Sequence, residues 1–272
     1  KEAWTEVLKA TVLVRGKKVL VISTPKGKNH FFDIYNMAKD NETYCSISGT
    51  SFDNPKIELS ELEDAKRNLP EHVFKQEYLA EFLEDGSAVF KNIKECITIA
   101  SATEICYAGI DLGRANDFTV LTILNESGQV FYCERWRHME WSMIISNLIA
   151  VLNRYRPRCY VEVNGMQDAI FEQIRNAINF NKNQLQGFIT SSKSKQSIIE
   201  DLIVAFENRE IGIPNNQDLM DEFSFFSYEY NLKTRQIHYS APQGLHDDMV
   251  MSLAIAWRAR KEMKTKGTYH IW

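Results

Sequence analysis

The sequence predicts an α/β fold in which a mixed sheet is flanked by helices, and two observations carry this prediction. Short apolar runs rich in β-branched residues alternate with stretches in which apolar residues recur at helical spacing. Three of the runs follow one another with only short loops between them, which predicts a meander. With 272 residues, of which 44% are hydrophobic, the chain is long enough for one large or two modest domains with a real core.

The first 85 residues predict a short α/β region of their own, in the order strand, loop, helix, strand. The predicted elements are a strand at Lys17–Ile22, a loop through Pro25 and Gly27, a helix at His30–Lys39, a strand at Tyr44–Ser48, and helices at Leu59–Leu69 and from Pro70 onward. Proline and glycine mark the loop, and Ser60 with Glu63 forms a capping box for the penultimate helix. No GxxxxGK[ST] sequence occurs, so this region has no phosphate-binding loop.

The remainder, residues 86–272, predicts a meander followed by alternating helices and strands. The strands are Ile105–Asp111, Phe118–Leu124, Gln129–Arg135, Cys159–Val163 and Leu185–Ile189; the helices are 141–155, Asp168–Ile178, Ser197–Glu207, Gln217–Phe226 and His246–Lys261, with a hairpin at Tyr228–Asn231 and Gln236–Tyr239. A meander, a helix and a further strand are the order of a ribonuclease H-like fold. We therefore expect residues 86–272 to form a ribonuclease H-like mixed sheet flanked by helices.

Composition excludes several classes of protein. The net charge of −4 gives no bulk basic character, so any nucleic-acid surface must be local. No apolar run approaches the roughly 18 residues of a membrane span, and the N-terminal stretch is too polar for a signal peptide, so we expect no membrane partner. The five cysteines form no CxxC pair, which favours reduced core residues over a zinc site or a disulfide framework.

Four carboxylates stand at the ends of apolar elements: Asp111, Glu162, Asp247 and Asp248. Each has an ordinary interpretation by itself, since Asp247 or Asp248 could cap a helix and Asp111 could cap a loop. Glu162, inside an apolar strand, could pair with an arginine such as Arg158 or Arg175. An unpaired carboxylate inside a strand costs several kcal/mol.

The ordinary interpretations weaken when the positions are taken together. In a ribonuclease H-like fold, the first strand, the fourth strand and the last helix converge at one end of the sheet. Carboxylates gathered there repel one another and need cations, and two divalent ions can clamp both oxygens of a phosphodiester displacement. Oxygen-only ligands favour Mg²⁺ or Mn²⁺ over zinc. The predicted metal-binding and catalytic residues are therefore Asp111, Glu162, Asp247 and Asp248.

The order of these motifs resembles the large terminase subunit of tailed bacteriophages, over essentially the whole chain. In the first part, Val19–Gly27 is similar to the ATPase strand and coupling motif, and Phe74–Phe90 is similar to the junction between the two halves. The first nuclease motif is matched by Gly109–Gly113 with Asp117–Thr119, and the second by Tyr160–Asn164. Ser192–Lys195 resembles a basic motif, and His246–Ala254 resembles the last acidic motif.

The resemblance implies a C-terminal portion of a DNA-packaging motor. Residues 1–85 would be the remnant of a P-loop ATPase-type α/β domain with its linker, with Ser23, Thr24 and Pro25 as the coupling motif, and residues 86–272 the nuclease. Walker A and Walker B motifs are absent, so ATP would be a cofactor only of the full-length protein. The implied activity is endonucleolytic cutting of concatemeric DNA. The implied partners are double-stranded DNA, the portal protein and the small terminase subunit, in the host cytoplasm.

Further residues are candidates for DNA contact: Lys193, Lys195, Asp117 and His246. Lys195 could contact a phosphate near the scissile bond or be an ordinary solvated lysine at a helix start. Asp117 could lie near the metals or simply precede a strand, and His246 could be catalytic or a polar residue at a helix start. Two alternative functions remain, namely a resolvase or transposase of the same fold, and a packaging component without catalysis.

Overall fold

The computed structural model describes residues 18–25, 30–38, 41–83, 89–113, 117–165, 167–231, 236–242 and 244–265. These residues form two compact units. The first holds the described residues up to 66 and those from 71 to 83, and the second holds 67–70 and the described residues from 89 onward. Within the described ranges, no helix combines the length and apolarity needed to span a bilayer.

The part before residue 84 contains helices and irregular backbone in its described residues. Its helices are α1 (His30–Met37), α2 (Leu59–Asn68) and α3 (Glu71–Tyr78). In the first unit, Phe82 packs against the rings of Phe31, Phe32 and Tyr35, with centroids 5.0–6.0 Å apart. This aromatic cluster fixes α1 against the segment that follows α3.

The strands predicted at Lys17–Ile22 and Tyr44–Ser48 are not formed by the described residues of these segments. Residues 18–25 and 44–48 have irregular backbone. The side chains of Leu20 and Ile22 are 83% and 84% exposed. A strand needs a neighbour to satisfy its N–H and C=O groups, and none of the described strands pairs with either segment. Apolar, β-branched composition alone therefore predicted strands that have no partner; Lys17 itself lies outside the described residues.

The second unit is built on a five-stranded mixed sheet in the order β3-β2-β1-β4-β5. The strands are β1 (Cys106–Asp111), β2 (Thr119–Asn125), β3 (Val130–Trp136), β4 (Arg158–Glu162) and β5 (Leu185–Phe188). The first three form the predicted antiparallel meander, and β4 and β5 run parallel to β1. The carboxyl ends of β1 and β4 consequently lie side by side at one edge of the sheet.

Helices cover both faces of this sheet. One face packs against α4 (Trp141–Tyr155) and α5 (Gln167–Ala177), and the other against α6 (Ser192–Glu207), α7 (Gln217–Phe225) and α8 (Asp248–Thr265). A small hairpin, β6 (Ser227–Asn231) with β7 (Gln236–Ser240), completes the second face. The predicted α/β class, a ribonuclease H-like mixed sheet flanked by helices, is confirmed.

The last helix, α8, lies directly on the sheet and is buried on almost all sides. It packs against β1, β2, β4 and α6. Gly109 in β1 makes this approach possible, because a Cβ there would lie 2.2 Å from the Ser252 carbonyl oxygen. The Ser252 hydroxyl lies 2.9 Å from the Gly109 carbonyl oxygen and 2.9 Å from Thr122 Oγ1. Close packing and a buried hydroxyl network thus fix the position of α8 over the end of β1.

Candidate metal centre

Asp111 and Glu162 are brought together by the pairing of two parallel strands. Ile110 lies opposite Val161 in the ladder, so the next residue of each strand carries the carboxylate. Alternation along β1 and β4 points both side chains to the face that α8 covers, because Tyr107 and Tyr160 lie in the core on that face. The Asp111 side chain is buried and interacts electrostatically with Glu162. Burial first, and then the Glu162 charge, raise the pKa of Asp111 well above its ordinary value.

Asp247 and Asp248 enter the same cluster from the start of α8. Burial raises the pKa of Asp248 to about 6, and the Asp247 and Asp117 charges act in the same direction. Two groups oppose this shift: the Phe118 N–H donates to Asp248 Oδ2 at 3.2 Å, and the His246 charge acts from Nδ1, 3.4 Å from that oxygen. The charges of Asp247 and Asp248 also raise the pKa of Asp111. Four carboxyl groups from β1, β4 and α8 therefore form one interacting cluster.

The lysines predicted to meet DNA have different surroundings. Lys195 Nζ lies 2.9 Å from Asp247 Oδ2, and both side chains are 24% exposed. Its ammonium group therefore neutralises part of the acidic cluster. Lys193 is exposed on the first turn of α6. That helix begins at Ser192 rather than at the predicted Ser197, because the Ser191 hydroxyl caps its first turn.

The remaining predicted residues divide between the two units. Asp117 is exposed, and its charge reaches Asp248. His246 packs edge-on against the Phe118 ring, with centroids 5.1 Å apart. Ser23, Thr24 and Pro25 belong to the first unit, where they have irregular backbone and the Ser23 hydroxyl donates to the Thr24 carbonyl oxygen.

Two amides that sequence reasoning missed hold Glu162 in place. Asn164 Nδ2 donates to Glu162 Oε1 at 2.8 Å, and the Asn164 N–H donates to Gln167 Oε1 at 3.0 Å. Gln167 Nε2 in turn donates to the carbonyl oxygen of Leu112, next to Asp111. The signal was the amide that directly follows the strand in the Tyr160–Asn164 motif. These contacts tie the carboxyl ends of β1 and β4 to each other.

Glu222 in α7 is a second residue that sequence reasoning missed. It is 6% exposed, and its Oε2 accepts hydrogen bonds from the N–H groups of Met249 at 2.8 Å and Val250 at 3.2 Å. Burial raises its pKa to about 8 despite these two donors. The signal was an acid at helical spacing between the apolar residues Leu219 and Phe226 of α7. Glu222 thereby caps the first turn of α8 from a neighbouring helix.

The donor set of this cluster fits a hard divalent cation. Its members are all carboxylates, buried or half-buried, and after burial their mutual repulsion is a further cause of the raised pKa of Asp111. Across the described ranges, no group of three His, Cys, Asp or Glu side chains is arranged to hold a metal ion as it stands. The carboxylates are instead engaged with Asn164, Lys195, the Phe118 N–H and each other.

Comparison with known proteins finds similarity to large terminase subunits of bacteriophages, although no family model matches the chain. A curated relative, the large terminase subunit of Thermus phage G20c, is 27% identical over 93% of this chain and 58% of its own length. A solved structure, the large terminase nuclease from thermophilic phage G20c with bound magnesium, is 25% identical, covers 63% of this chain and 96% of that chain, and has a TM-score of 0.53.

A longer structural neighbour extends the comparison to almost the whole chain. The large terminase from the thermophilic bacteriophage D6E covers 97% of this chain and 66% of that chain, with a TM-score of 0.62 and 12% identity, which speaks to the fold alone. The chain spans about 58% of the length of the curated Thermus phage relatives. The resemblance predicted from the motifs is confirmed: this chain is similar, over 93% of its length, to large terminase subunits of bacteriophages, and its second unit has the fold of their nuclease.

Proposed function

We propose that this chain is a metal-dependent DNA endonuclease that cuts concatemeric viral DNA during genome packaging. The observation that carries the proposal is the pairing of Asp111 with Glu162 at adjacent strand ends, with Asp247 and Asp248 in the same cluster. The relative with bound magnesium and its counterpart with bound cobalt support the use of a divalent cation.

In this proposal, the four carboxylates would hold two divalent ions, Mg²⁺ or Mn²⁺. When bound, such ions supply Lewis-acid stabilisation of a phosphodiester and make a water molecule more acidic. The protein itself keeps the ligands in position. Asn164 orients Glu162, Lys195 orients Asp247, and the Phe118 N–H orients Asp248. Glu222 contributes by holding the first turn of α8, which begins at Asp248 and directly follows Asp247.

The proposal extends to the rest of the packaging machinery. Residues 1–85 would be the end of an ATPase domain, with Ser23, Thr24 and Pro25 as its coupling motif, and residues 86–272 would be the nuclease. ATP would be bound only by the full-length protein, since this chain has no GxxxxGK[ST] loop. The partners would be double-stranded DNA, the portal protein and the small terminase subunit, and the place of action the host cytoplasm.

Incubation with supercoiled plasmid tests the activity. The chain should nick and linearise plasmid in Mn²⁺ or Mg²⁺ and leave it intact with a chelator. Asp111→Asn should abolish cleavage because it removes a carboxylate from the centre of the cluster. The matched control is Asp33→Asn, whose side chain is 55% exposed in the first unit and which should cut like the parent. Intact plasmid at every metal concentration, from a folded parent protein, would overturn the proposed function.

A further inference from the structure

Phe118 lies between the carboxylate cluster and two arginines of β3 and its end. On one side, its backbone N–H is bonded to Asp248 and its ring contacts His246. On the other, the guanidinium carbons of Arg135 and Arg137 lie 4.5 Å and 5.0 Å from the ring centroid. Cation–π contacts at these distances hold a guanidinium in a defined position. The ring therefore places two cations beside the acidic cluster.

The two arginines differ in their counter-charges. Arg135 Nη2 lies 2.6 Å from Asp218 Oδ2, and its Nη1 lies 3.9 Å from Glu222 Oε1. Among the described residues, Arg137 has no carboxylate within 4.0 Å, and its buried Nε has no hydrogen-bond partner. A buried N–H of a charged group without an acceptor is costly, so its presence calls for an explanation. Arg135 is a structural cation, whereas the guanidinium of Arg137 is available to an anion.

Arg137 lines a groove that lies next to the end of β1. The groove has a volume of about 460 Å³ and begins at Gly113 and Asp117, directly after β1 and before Phe118. It is also lined by Glu140 on its polar side, and by Trp141 and Met143 on its apolar side. The apolar wall is solvent-accessible, with Met143 55% and Trp141 38% exposed.

We propose that this groove binds the sugar–phosphate backbone of the DNA strand beside the carboxylate cluster, with Arg137 as its phosphate contact. The proposal rests on the proposed function, since it names a substrate contact of the same site. Charge complementarity carries it: a strand that reaches four carboxylates needs a fixed cation nearby, and a guanidinium binds phosphate through two parallel N–H donors. Asp117 and Glu140 also line the groove, and their carboxylates repel an anion. A phosphate in the groove would therefore lie at Arg137.

The experiment measures duplex DNA affinity and its salt dependence, using a fluorescent 30-base-pair duplex with Ca²⁺. Arg137→Ala should weaken binding about tenfold, and should reduce the slope of log K against log salt by about 0.9, the value for one lost phosphate contact. Arg154→Ala is the matched control, because Arg154 also lies over an aromatic ring, 5.1 Å from the Tyr155 centroid. It stands at the end of α4, next to the start of β4 and away from the carboxylate edge, and should bind like the parent.

A second variant, Arg137→Gln, and thermal unfolding of each protein separate lost contact from lost structure. A folded Arg137→Ala or Arg137→Gln protein with parental affinity and slope, while the parent cuts plasmid, would overturn the phosphate contact and leave the proposed function standing. A parent that neither binds duplex nor cuts plasmid would overturn both. Loss of affinity with an unchanged salt slope would also count against a phosphate contact, because that slope reports displaced counterions.

Discussion

Replacing Gly109 by alanine tests how the carboxylate end of the sheet is assembled. A Cβ at this position would lie 2.2 Å from the Ser252 carbonyl oxygen, 2.3 Å from the Ala256 backbone nitrogen and 2.9 Å from the Ile255 carbonyl carbon. All three atoms belong to the backbone of α8, which cannot turn aside as a flexible side chain can. An ordinary contact distance is about 3.5–4.0 Å. The helix would therefore have to move away from β1 by more than about 1 Å.

The expected cost is large because the displaced helix is buried. Overpacking a core costs about 1–3 kcal/mol, and backbone contacts on the closely packed α8 put Gly109→Ala at about 3 kcal/mol or above. The shift would also disturb the hydroxyl of Ser252, which lies 2.9 Å from the Gly109 carbonyl oxygen. For a unit of this size, that free energy corresponds to a fall in Tm of roughly 6–12 °C.

Thermal or urea unfolding of the purified variant measures this effect. Gly49→Ala is the control, because a Cβ there meets nothing within 4 Å, and its Tm should stay within about 2 °C of the parent. Cleavage by Gly109→Ala should fall as well, since Asp111 lies two residues further along β1 and Asp248 begins α8. A Gly109→Ala protein that melts and cuts like the parent would refute the close approach of α8 to β1.

Three further predictions concern the acidic cluster. Glu222 has a pKa of about 8 in the folded protein, against 4.5 in the unfolded chain. Between these two pH values the folded protein keeps the proton that the unfolded chain loses. The free energy of unfolding should therefore fall as pH rises from 4.5 to 8, by at most about 5 kcal/mol. Glu222→Gln should flatten this dependence in urea titrations; strong destabilisation at pH 5 would show instead that the carboxylate is required. Mn²⁺ should raise Tm, because at a hundredfold excess over Kd its binding adds about 2.7 kcal/mol to the free energy of unfolding. In calorimetry, Asp111→Asn should remove most of this shift in Tm. Lys195→Ala should tighten Mn²⁺ binding, because it removes an ammonium group that neutralises Asp247 and would compete with a metal ion for its carboxylate; an unchanged or weakened Mn²⁺ Kd would contradict that role.

Much of the second unit follows from local pattern. The strand from Cys106 to Asp111 and the helix from Trp141 to Tyr155 were predicted to within one residue. Their apolar residues repeat with the period of the element that forms, and loops with Gly or Pro separate them. The acidic end residues were visible for the same reason, since Glu162 interrupts an apolar strand. A carboxylate there is conspicuous because an unpaired buried charge is costly.

Patterns that need a distant partner were predicted less well. Residues 18–22 have the composition of a buried strand, but an exposed run without a neighbouring strand in the described residues stays irregular. Composition reports how well a residue suits a strand, whereas the strand itself is made by hydrogen bonds to another segment. The same limit hid Glu222 within an ordinary amphipathic helix.

By itself, the sequence determined the class of the fold, the order of the elements in the second unit and the four carboxylates of the candidate metal centre. Only the tertiary structure decided which groups lie around them: Lys195 on Asp247, Glu222 beneath the first turn of α8, and Arg137 over Phe118 with no carboxylate within 4.0 Å in the described part of the chain. The physical reason is range. Periodicity and residue type reflect the burial of each residue in its own element, but ion pairs, caps and unpaired charges depend on side chains that folding brings together from positions far apart in the chain.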